Sequence, residues 1–428
     1  MRKSLSFVVL ALLLAACAGR PENLLLISDQ RAAGATEIEM LVATTRLPSG
    51  DPGTLFSGER NQVLGDIKIV DIAISIPPDE ARKVGQVQFP KKAPGDPARE
   101  FVTTRAKVLE IPDAQNALRS MLRNKGTGHV LVFIHGYNNR FEDAVFSYAQ
   151  FVHDSGAPVI PTLFTWPSRG QLLGYGYDRE SANYSRDALE EILRRLDRNP
   201  AVTQITVMAH SMGNWLTLET LRQMEIRSGR LPGKIDTVIM AAPDVDFDVF
   251  RTQMRSLKNA GPQYILLASQ DDLALSVSRR VWGSSVRLGA VDAAAEPRRS
   301  ELEDIGLMVV DLTEAEGGGL NHAKYASVPE IAKVLGERIA AGHTLGVPKA
   351  TLGDRIGLAT ASGAAAVGGA VGLVVTAPLA VVDANERDRF GHRVSAVGED
   401  AKAGLGITTA PTCPTERFGP RPVGCPEL

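Results

Sequence analysis

Two rhythms of apolar and polar positions run through the 428 residues. In the first, short and mostly apolar runs stand alone, at residues 130–134, 159–166, 205–209, 235–242, 264–268 and 307–311. Such runs mark strands buried on both faces, as in a parallel sheet. In the second, apolar residues recur three and four positions apart. That spacing predicts helices over residues 141–153, 178–197, from 214 onward, 247–259, 275–282 and 328–340. Strands alternating with such helices make βαβ units. Ahead of them, residues 38–45, 67–76 and 101–111 read as strands, with one helix candidate at 114–123 and two Gly/Pro-rich loops at 48–65 and 90–97. Without helical crossovers, the early strands should enter the sheet antiparallel. The expected fold class is α/β, a mainly parallel central sheet flanked by helices and opening on antiparallel strands. Ligands of such sheets bind beyond the carboxyl ends of the strands.

The stretch from Ile205 to Leu218 joins both rhythms. A buried strand runs into the sharp turn Ala209-His-Ser-Met-Gly. A helix follows, with Trp215, Leu216, Leu218 and Leu221 on its apolar face. Strand, tight turn and helix with a serine at the apex form a nucleophile elbow, whose pattern is G-x-S-x-G. Ala209 replaces the first glycine here, and Gly213 keeps the second. The turn needs only small side chains where strand and helix nearly touch. It exposes the Ser211 hydroxyl near the helix N-terminus, where free N–H groups favour negative charge. The bland alternative is a serine that merely caps a helix.

A serine hydroxyl needs a base within hydrogen-bond reach and a third group to orient that base. Of seven histidines, His129 and His135 border a strand, His153 lies on a helix, His210 lies inside the elbow, and His343 and His392 fall outside the core pattern. His322 is the candidate base. It sits in Gly317-Gly-Gly-Leu-Asn-His-Ala-Lys-Tyr, just after the last core strand. Asp272 is the preferred acid, because it follows the penultimate strand in the order Ser…Asp…His. Asp271 and Asp244 are its rivals, and each has the bland reading of a cap or turn residue. Backbone N–H groups of Met212 and of Gly136 or Tyr137 are the candidate oxyanion donors. His135 is expected to hold that loop by hydrogen bonds and not to act as the base.

With these residues in view, the segment of about 130–340 resembles an α/β-hydrolase. Phe133-Ile-His-Gly-Tyr-Asn-Asn, Thr165-Trp-Pro-Ser-Arg-Gly, Tyr177-Asp-Arg-Glu-Ser-Ala, Ala209-His-Ser-Met-Gly-Asn and Ser269-Gln-Asp-Asp-Leu-Ala-Leu are similar to a narrower group. It is a bacterial family catalogued as a domain of unknown function, with esterase- or lipase-like members. The resemblance covers about half the chain. It implies Ser211 as nucleophile, His322 as base and Asp272 as acid, and it implies no substrate. Trp166, Ser168, Tyr175 and Tyr177 follow one strand's carboxyl end and are candidate pocket residues, with a packed surface loop as the plain alternative. Arg169 and Arg179 nearby would favour an anionic substrate, with solvated loop arginines as the plain alternative.

The termini add localisation. Met1-Arg-Lys and an apolar run over residues 5–14 read as a secretory signal. Leu14-Ala-Ala-Cys17 resembles a bacterial lipobox, which implies lipidation of Cys17, and Ala18 in place of an aspartate favours the outer membrane. The domains expected are a signal at 1–16, a lipidated tether at 17–35, a hydrolase domain at 36–345, and a Gly/Ala-rich apolar segment with a polar tail at 346–428. Residues 356–382 carry no charge and are long enough to span a bilayer, although low side-chain bulk argues for packing instead. Cys413 and Cys425 are a candidate disulfide in an oxidising compartment. A net charge of −2 gives no footprint for nucleic acid. The expected activity is an esterase- or lipase-like serine hydrolase acting on a small-molecule or lipid ester, or thioester, without metal or cofactor. An acyltransferase using the same triad and a catalytically silent envelope scaffold are the alternatives. Oligomeric state is not readable.

Overall fold

A computed structural model describes residues 21–257, 261–282, 285–341 and 357–358. The signal, Cys17, residues 359–382, Cys413 and Cys425 lie outside the described residues. Ten strands form one sheet. In chain order the strands are β1 (Thr36–Thr44), β4 (Lys68–Ile76), β5 (Val102–Leu109), β6 (His129–Ile134), β7 (Ile160–Thr165), β8 (Gln204–His210), β9 (Ile235–Ala241), β10 (Gln263–Ala268), β11 (Met308–Asp311) and β12 (Gly357–Leu358). Their spatial order is β12-β11-β10-β9-β8-β6-β7-β1-β4-β5. Only β4 pairs antiparallel with its neighbours, β1 and β5. β1 itself lies parallel to β7, with Leu41 opposite Thr162. The loop expected at 48–65 instead carries half of a small hairpin, β2 (Arg46–Pro48) with β3 (Phe56–Arg60).

Helices cover both faces. On one side lie α1 (Ile111–Lys125), α4 (Arg186–Arg198), α5 (Gly213–Ser228), α6 (Phe247–Leu257) and α8 (Arg298–Ile305). Their apolar stripes, including Leu118, Leu193, Leu221, Phe250 and Leu302, share one core with the sheet. On the other side lie α2 (Phe141–Ser155), α9 (Lys324–Ser327) and α10 (Pro329–Ala341), whose Phe146, Tyr325 and Leu335 fill a second core. The remaining helices, α3 (Tyr175–Tyr184) and α7 (Leu273–Trp282), follow the carboxyl ends of β7 and β10. Residues 178–197 fall in α3 and α4, which meet at Ser185 with helical backbone angles there; its hydroxyl bonds Thr45 Oγ1 at 2.8 Å.

The stretch read as a tether is part of the domain from Pro21 onward. Leu24 and Leu25 are buried in the second core. Ser28 N–H donates to Thr103 O at 2.8 Å, and Thr103 Oγ1 donates to Leu24 O at 2.8 Å. Two adjacent leucines gain more by burial than a free polar linker allows. Among the described residues no helix is long and apolar enough to cross a membrane.

Candidate active site

β8 ends in the elbow. Ser211 has φ of 53°, a left-handed conformation that is costly for a residue with a side chain and tends to sit at functional sites. The surroundings hold it there. Ser211 N–H donates to Ala241 O at 3.0 Å, and Asp244 N–H donates to Ser211 O at 3.2 Å. The buried Asn214 amide donates to Ala209 O, Ser211 O and Ala241 O at 3.1–3.2 Å, so it staples the turn to β8 and β9. Gly213 is required by contact: a Cβ there would lie 2.5 Å from His135 O and 2.7 Å from Ile134 O. A Cβ on Gly136 would lie 2.8 Å from Ser211 Cβ. The loop after β6 therefore passes directly against the nucleophile candidate.

His322 and Asp272 meet. His322 Nδ1 bonds Asp272 Oδ2 at 2.7 Å. A carboxylate accepts, so Nδ1 carries the proton and Nε2 keeps its lone pair. Asp272 is fully buried, and its other oxygen accepts Leu275 N–H at 3.0 Å, capping α7. The helix cap and the candidate acid are thus one residue. Asp271 turns elsewhere, to Lys324 Nζ at 2.7 Å and to Asn321 Nδ2 at 2.9 Å. Burial alone would raise the Asp271 pKa, but Lys324 and Ser269 outweigh it and hold the carboxyl below its usual range. Lys324 also donates to Leu312 O and Thr313 O, which fixes the loop bearing His322. Asp244 accepts from Tyr175 Oη at 2.9 Å and Ser278 Oγ at 2.8 Å, so it is engaged away from His322. Of the other histidines, His129 bonds Thr206 Oγ1, and His153 bonds Asp154.

His210 has a role that the sequence did not reveal. Its Nε2–H donates to His322 O at 3.0 Å, and the two rings lie 4.7 Å apart. The residue before Ser211 thereby carries the base candidate's own backbone. Burial, then the neighbouring His322, lowers the His210 pKa to about 3, so the ring is neutral at ordinary pH. Among the described residues Ser211 Oγ makes no hydrogen bond, and such bonds are often loose without substrate.

The candidate oxyanion loop is held from behind by Arg46, at the start of β2. Its buried guanidinium donates to Thr165 Oγ1 at 2.7 Å, Ser168 O at 2.8 Å, Asn139 O at 2.9 Å and Ser57 O at 3.3 Å. Its Nη2 also reaches His135 Nε2 at 3.4 Å. Arginine cannot accept, so that nitrogen is unprotonated, and Nδ1–H donates to Gly136 O at 2.8 Å. Burial and the Arg46 charge lower the His135 pKa to about 3, and burial lowers that of Arg46 to about 10. His135 therefore sits in the loop-holding position expected for it. Among the described residues the N–H groups of Gly136 and Met212 make no hydrogen bond, which leaves two donors beside Ser211.

The four pocket candidates divide. Trp166 is fully buried, stacked 4.8 Å from His135, with its indole N–H donating to His135 O at 2.9 Å. Ser168 is buried too and bonds Asp178, whose carboxylate also accepts Asn138 N–H and Arg169 N–H. Both support the loop and do not line a pocket. Tyr177 faces outward, bonding Glu59 at 2.9 Å under Arg169. Arg169 is paired with Glu59 at 2.9 Å, so it is no anion site. Tyr175 alone borders a small hollow shared with Met212, Arg179 and Trp215. The cavity missed by sequence reading lies on the other side of the elbow. It measures about 420 Å³ and is bounded by Gly136, His210, Phe89, Phe133, Ala323 and Tyr325. A hollow of about 470 Å³ lined by Leu118 and Leu196 of α1 and α4 holds none of the candidate residues.

The sheet order, the elbow after β8 and the helices on both faces define an α/β-hydrolase fold. More narrowly, the chain belongs to the family described as "Alpha/beta hydrolase of unknown function (DUF900)", which matches residues 112–338. It is similar to the uncharacterized protein alr1448 of Nostoc sp. (strain PCC 7120), at 25% identity over 202 residues, 36% of this chain and 52% of that protein. The chain thus spans about half the length of that curated relative. Among solved structures, an esterase of Pyrobaculum calidifontis aligns at 11% identity and TM-score 0.31 over 64% of this chain and 81% of its own. The siderophore hydrolase EstB of Aspergillus nidulans aligns at 14% identity and TM-score 0.32 over 76% and 99%. At such scores the likeness adds nothing to what the strand order already defines.

Proposed function

We propose that the protein is a serine hydrolase that cleaves a carboxylic ester or thioester through an acyl-enzyme. Ser211 Oγ attacks the acyl carbon while His322 Nε2 takes its proton. The N–H groups of Met212 and of Gly136 or Tyr137 stabilise the oxyanion. The leaving alkoxide or thiolate then takes the proton from His322. Water repeats the sequence in reverse on the acyl-enzyme and releases the acid. The observation that carries this reading is the Asp272–His322 bond beside an elbow serine held at positive φ. That tautomer leaves Nε2 free to act as base. The cavity lined by Gly136, His210 and Ala323, neighbours of Ser211 and His322 that do not include those two residues themselves, is the acyl site this reading proposes; its volume lies in the usual range for small-ligand pockets.

The test is labelling of the full chain by a fluorophosphonate probe, with the modified peptide mapped. Labelling at Ser211 that is lost in Ser211→Ala is the expected result. A folded wild type that stays unlabelled overturns the reading and leaves a silent scaffold. We further propose, from the lipobox-like segment, that Cys17 is lipidated and that the domain works in the cell envelope.

A further inference from the structure

We infer that the rim of the active-site mouth is a membrane-docking surface, facing the bilayer that holds the protein's own anchor and presenting Ser211 to esters embedded there. This rests on the serine-hydrolase reading for its substrate and on the lipidation of Cys17 for its anchor.

The first observation is where the chain leaves its described part. Four residue steps separate Cys17 from Pro21. Fully extended, they span at most about 14 Å. Pro21 is no loose end, since its carbonyl accepts Arg140 Nη2–H at 2.9 Å. Leu24 and Leu25 beyond it are buried. Arg140 directly follows Asn139 of the candidate oxyanion loop. A lipid on Cys17 therefore cannot hold the domain at arm's length. It draws the bilayer to the edge of the loop that touches Ser211.

The second observation is independent of the anchor. Leu173 is 100% exposed and Leu172 74%. They stand in the loop whose carbonyls at Gln171 and Leu172 accept the Tyr137 hydroxyl. The short loop from Tyr137 to Arg140 thus touches the loop of the exposed leucine pair at one end and the anchored segment at the other. Across the mouth, Leu320 is 57% exposed two residues before His322, and Leu273 is 51% exposed directly after Asp272. Leu273 N–H donates to Leu320 O at 3.0 Å, so the two sit together. Val277, one turn along α7, is exposed as well. Single exposed leucines are common on any protein. Here they flank both sides of the site next to an anchor point, which suits the acyl boundary of a bilayer.

The test uses the lipidated full chain, with Cys413 and Cys425 changed to Ser, reconstituted in phosphatidylcholine vesicles containing nitroxide-labelled lipid. A fluorophore is attached at Leu173→Cys or, as control, at Ile226→Cys, an exposed position on α5. The expected result is quenching at position 173 at least threefold stronger than at 226. Equal quenching, or a chain that carries no acyl group on Cys17, overturns the inference. Hydrolysis supplies the second arm. Leu172→Ser/Leu173→Ser should lower turnover of a long-chain ester held in the vesicles about tenfold, with a soluble butyrate ester hydrolysed within twofold of wild type. Equal loss on both esters overturns the docking role. A wild type that hydrolyses neither ester refutes the hydrolase reading, and the quenching ratio still decides the docking.

Discussion

Changing Asp272 to asparagine separates catalysis from architecture at one residue. The carboxylate has two duties, accepting His322 Nδ1–H at 2.7 Å with one oxygen and Leu275 N–H at 3.0 Å with the other. Asparagine keeps one acceptor and replaces the second with a donor. With its oxygen on Leu275, the cap survives, because Asn and Asp cap helices about equally well. The amide N–H then faces the imidazole and forces the proton onto Nε2, the nitrogen that must receive the Ser211 proton. A wrong tautomer of this kind lowers turnover by about 10³–10⁴-fold, or about 4–5.5 kcal/mol of transition-state stabilisation. The stability change should stay within about 1 kcal/mol, the size of a helix cap. Hydrolysis of p-nitrophenyl butyrate by the full chain reads the first quantity, with Ser211→Ala as the floor, and urea unfolding reads the second. Asp272→Ala should lose both activity and the cap. An Asp272→Asn protein that is stable and within tenfold of wild-type kcat/KM would refute the triad itself. No rival carboxylate is at hand, since Asp271 is engaged with Lys324 and Asp244 with Tyr175 and Ser278.

Three other outcomes follow from the same contacts. Arg46→Met should lower kcat by about 10–100-fold with little change in KM, because the donors on the oxyanion loop lose their support. It should also cost about 2–4 kcal/mol of stability, since the buried Ser168 O and the partly buried Asn139 O lose their donor; urea titration and steady-state kinetics check both. Gly336→Ala should destabilise by about 3 kcal/mol with turnover per folded molecule unchanged, because its Cβ would lie 1.9 Å from Ser155 O where α10 crosses α2; a Tm equal to wild type would contradict it. For pH, His135 and His210 have folded pKa values of about 3 against an ordinary value of 6.5. In that window the unfolded chain binds more protons than the folded one, so their stabilisation is complete above about pH 6.5 and is lost as pH falls towards 3. Urea midpoints measured across that window should fall with pH, and less steeply in His210→Asn.

The elbow was legible because its signals are local. An apolar strand, two small residues and a helical stripe fall within a few turns of chain, and the structure sets Ser211 at their apex. The same holds for the parallel strands, whose apolar runs coincide with β6 to β11. What could not be read depends on partners far away in sequence. The contact of the Ser185 hydroxyl with Thr45, where α3 passes into α4, joins residues 140 positions apart. Nothing in the adjacent pair Asp271-Asp272 tells which side chain turns to His322; Lys324 decides by capturing Asp271. Arg46 looks like any strand-end arginine until three other segments, at Ser57, His135 to Asn139 and Thr165 to Ser168, close over it. Trp166 and Ser168 follow a strand's carboxyl end, where pocket residues often lie, yet they face inward because His135 and Asp178 need partners. One missed feature did have a signal. Leu24-Leu25 inside a supposedly free tether is apolar enough to suggest burial.

The distribution of these supports shows what the working unit of this hydrolase fold is. The family match begins at residue 112 and contains Ser211, Asp272 and His322. Yet the guanidinium that braces the loop beside Ser211 comes from residue 46. That hairpin in turn reaches α3, with Arg60 N–H donating to Tyr177 Oη and Arg60 Nε to Ser181 Oγ. β1 covers the edge of β7 in parallel register, and Met40, Val42, Ile72 and Ile74 share one core with α2 and α10. Without this N-terminal layer, β7 would present an unpaired edge of polar backbone, and the candidate oxyanion loop would lose the cation that fixes it. Preorganised donors matter in such sites because they need not reorganise as charge develops. The candidate reactive groups thus lie inside the matched segment, whereas the guanidinium that braces the loop beside Ser211 comes from before it. The folded unit that holds the candidate site extends at least from Pro21 to Ala341.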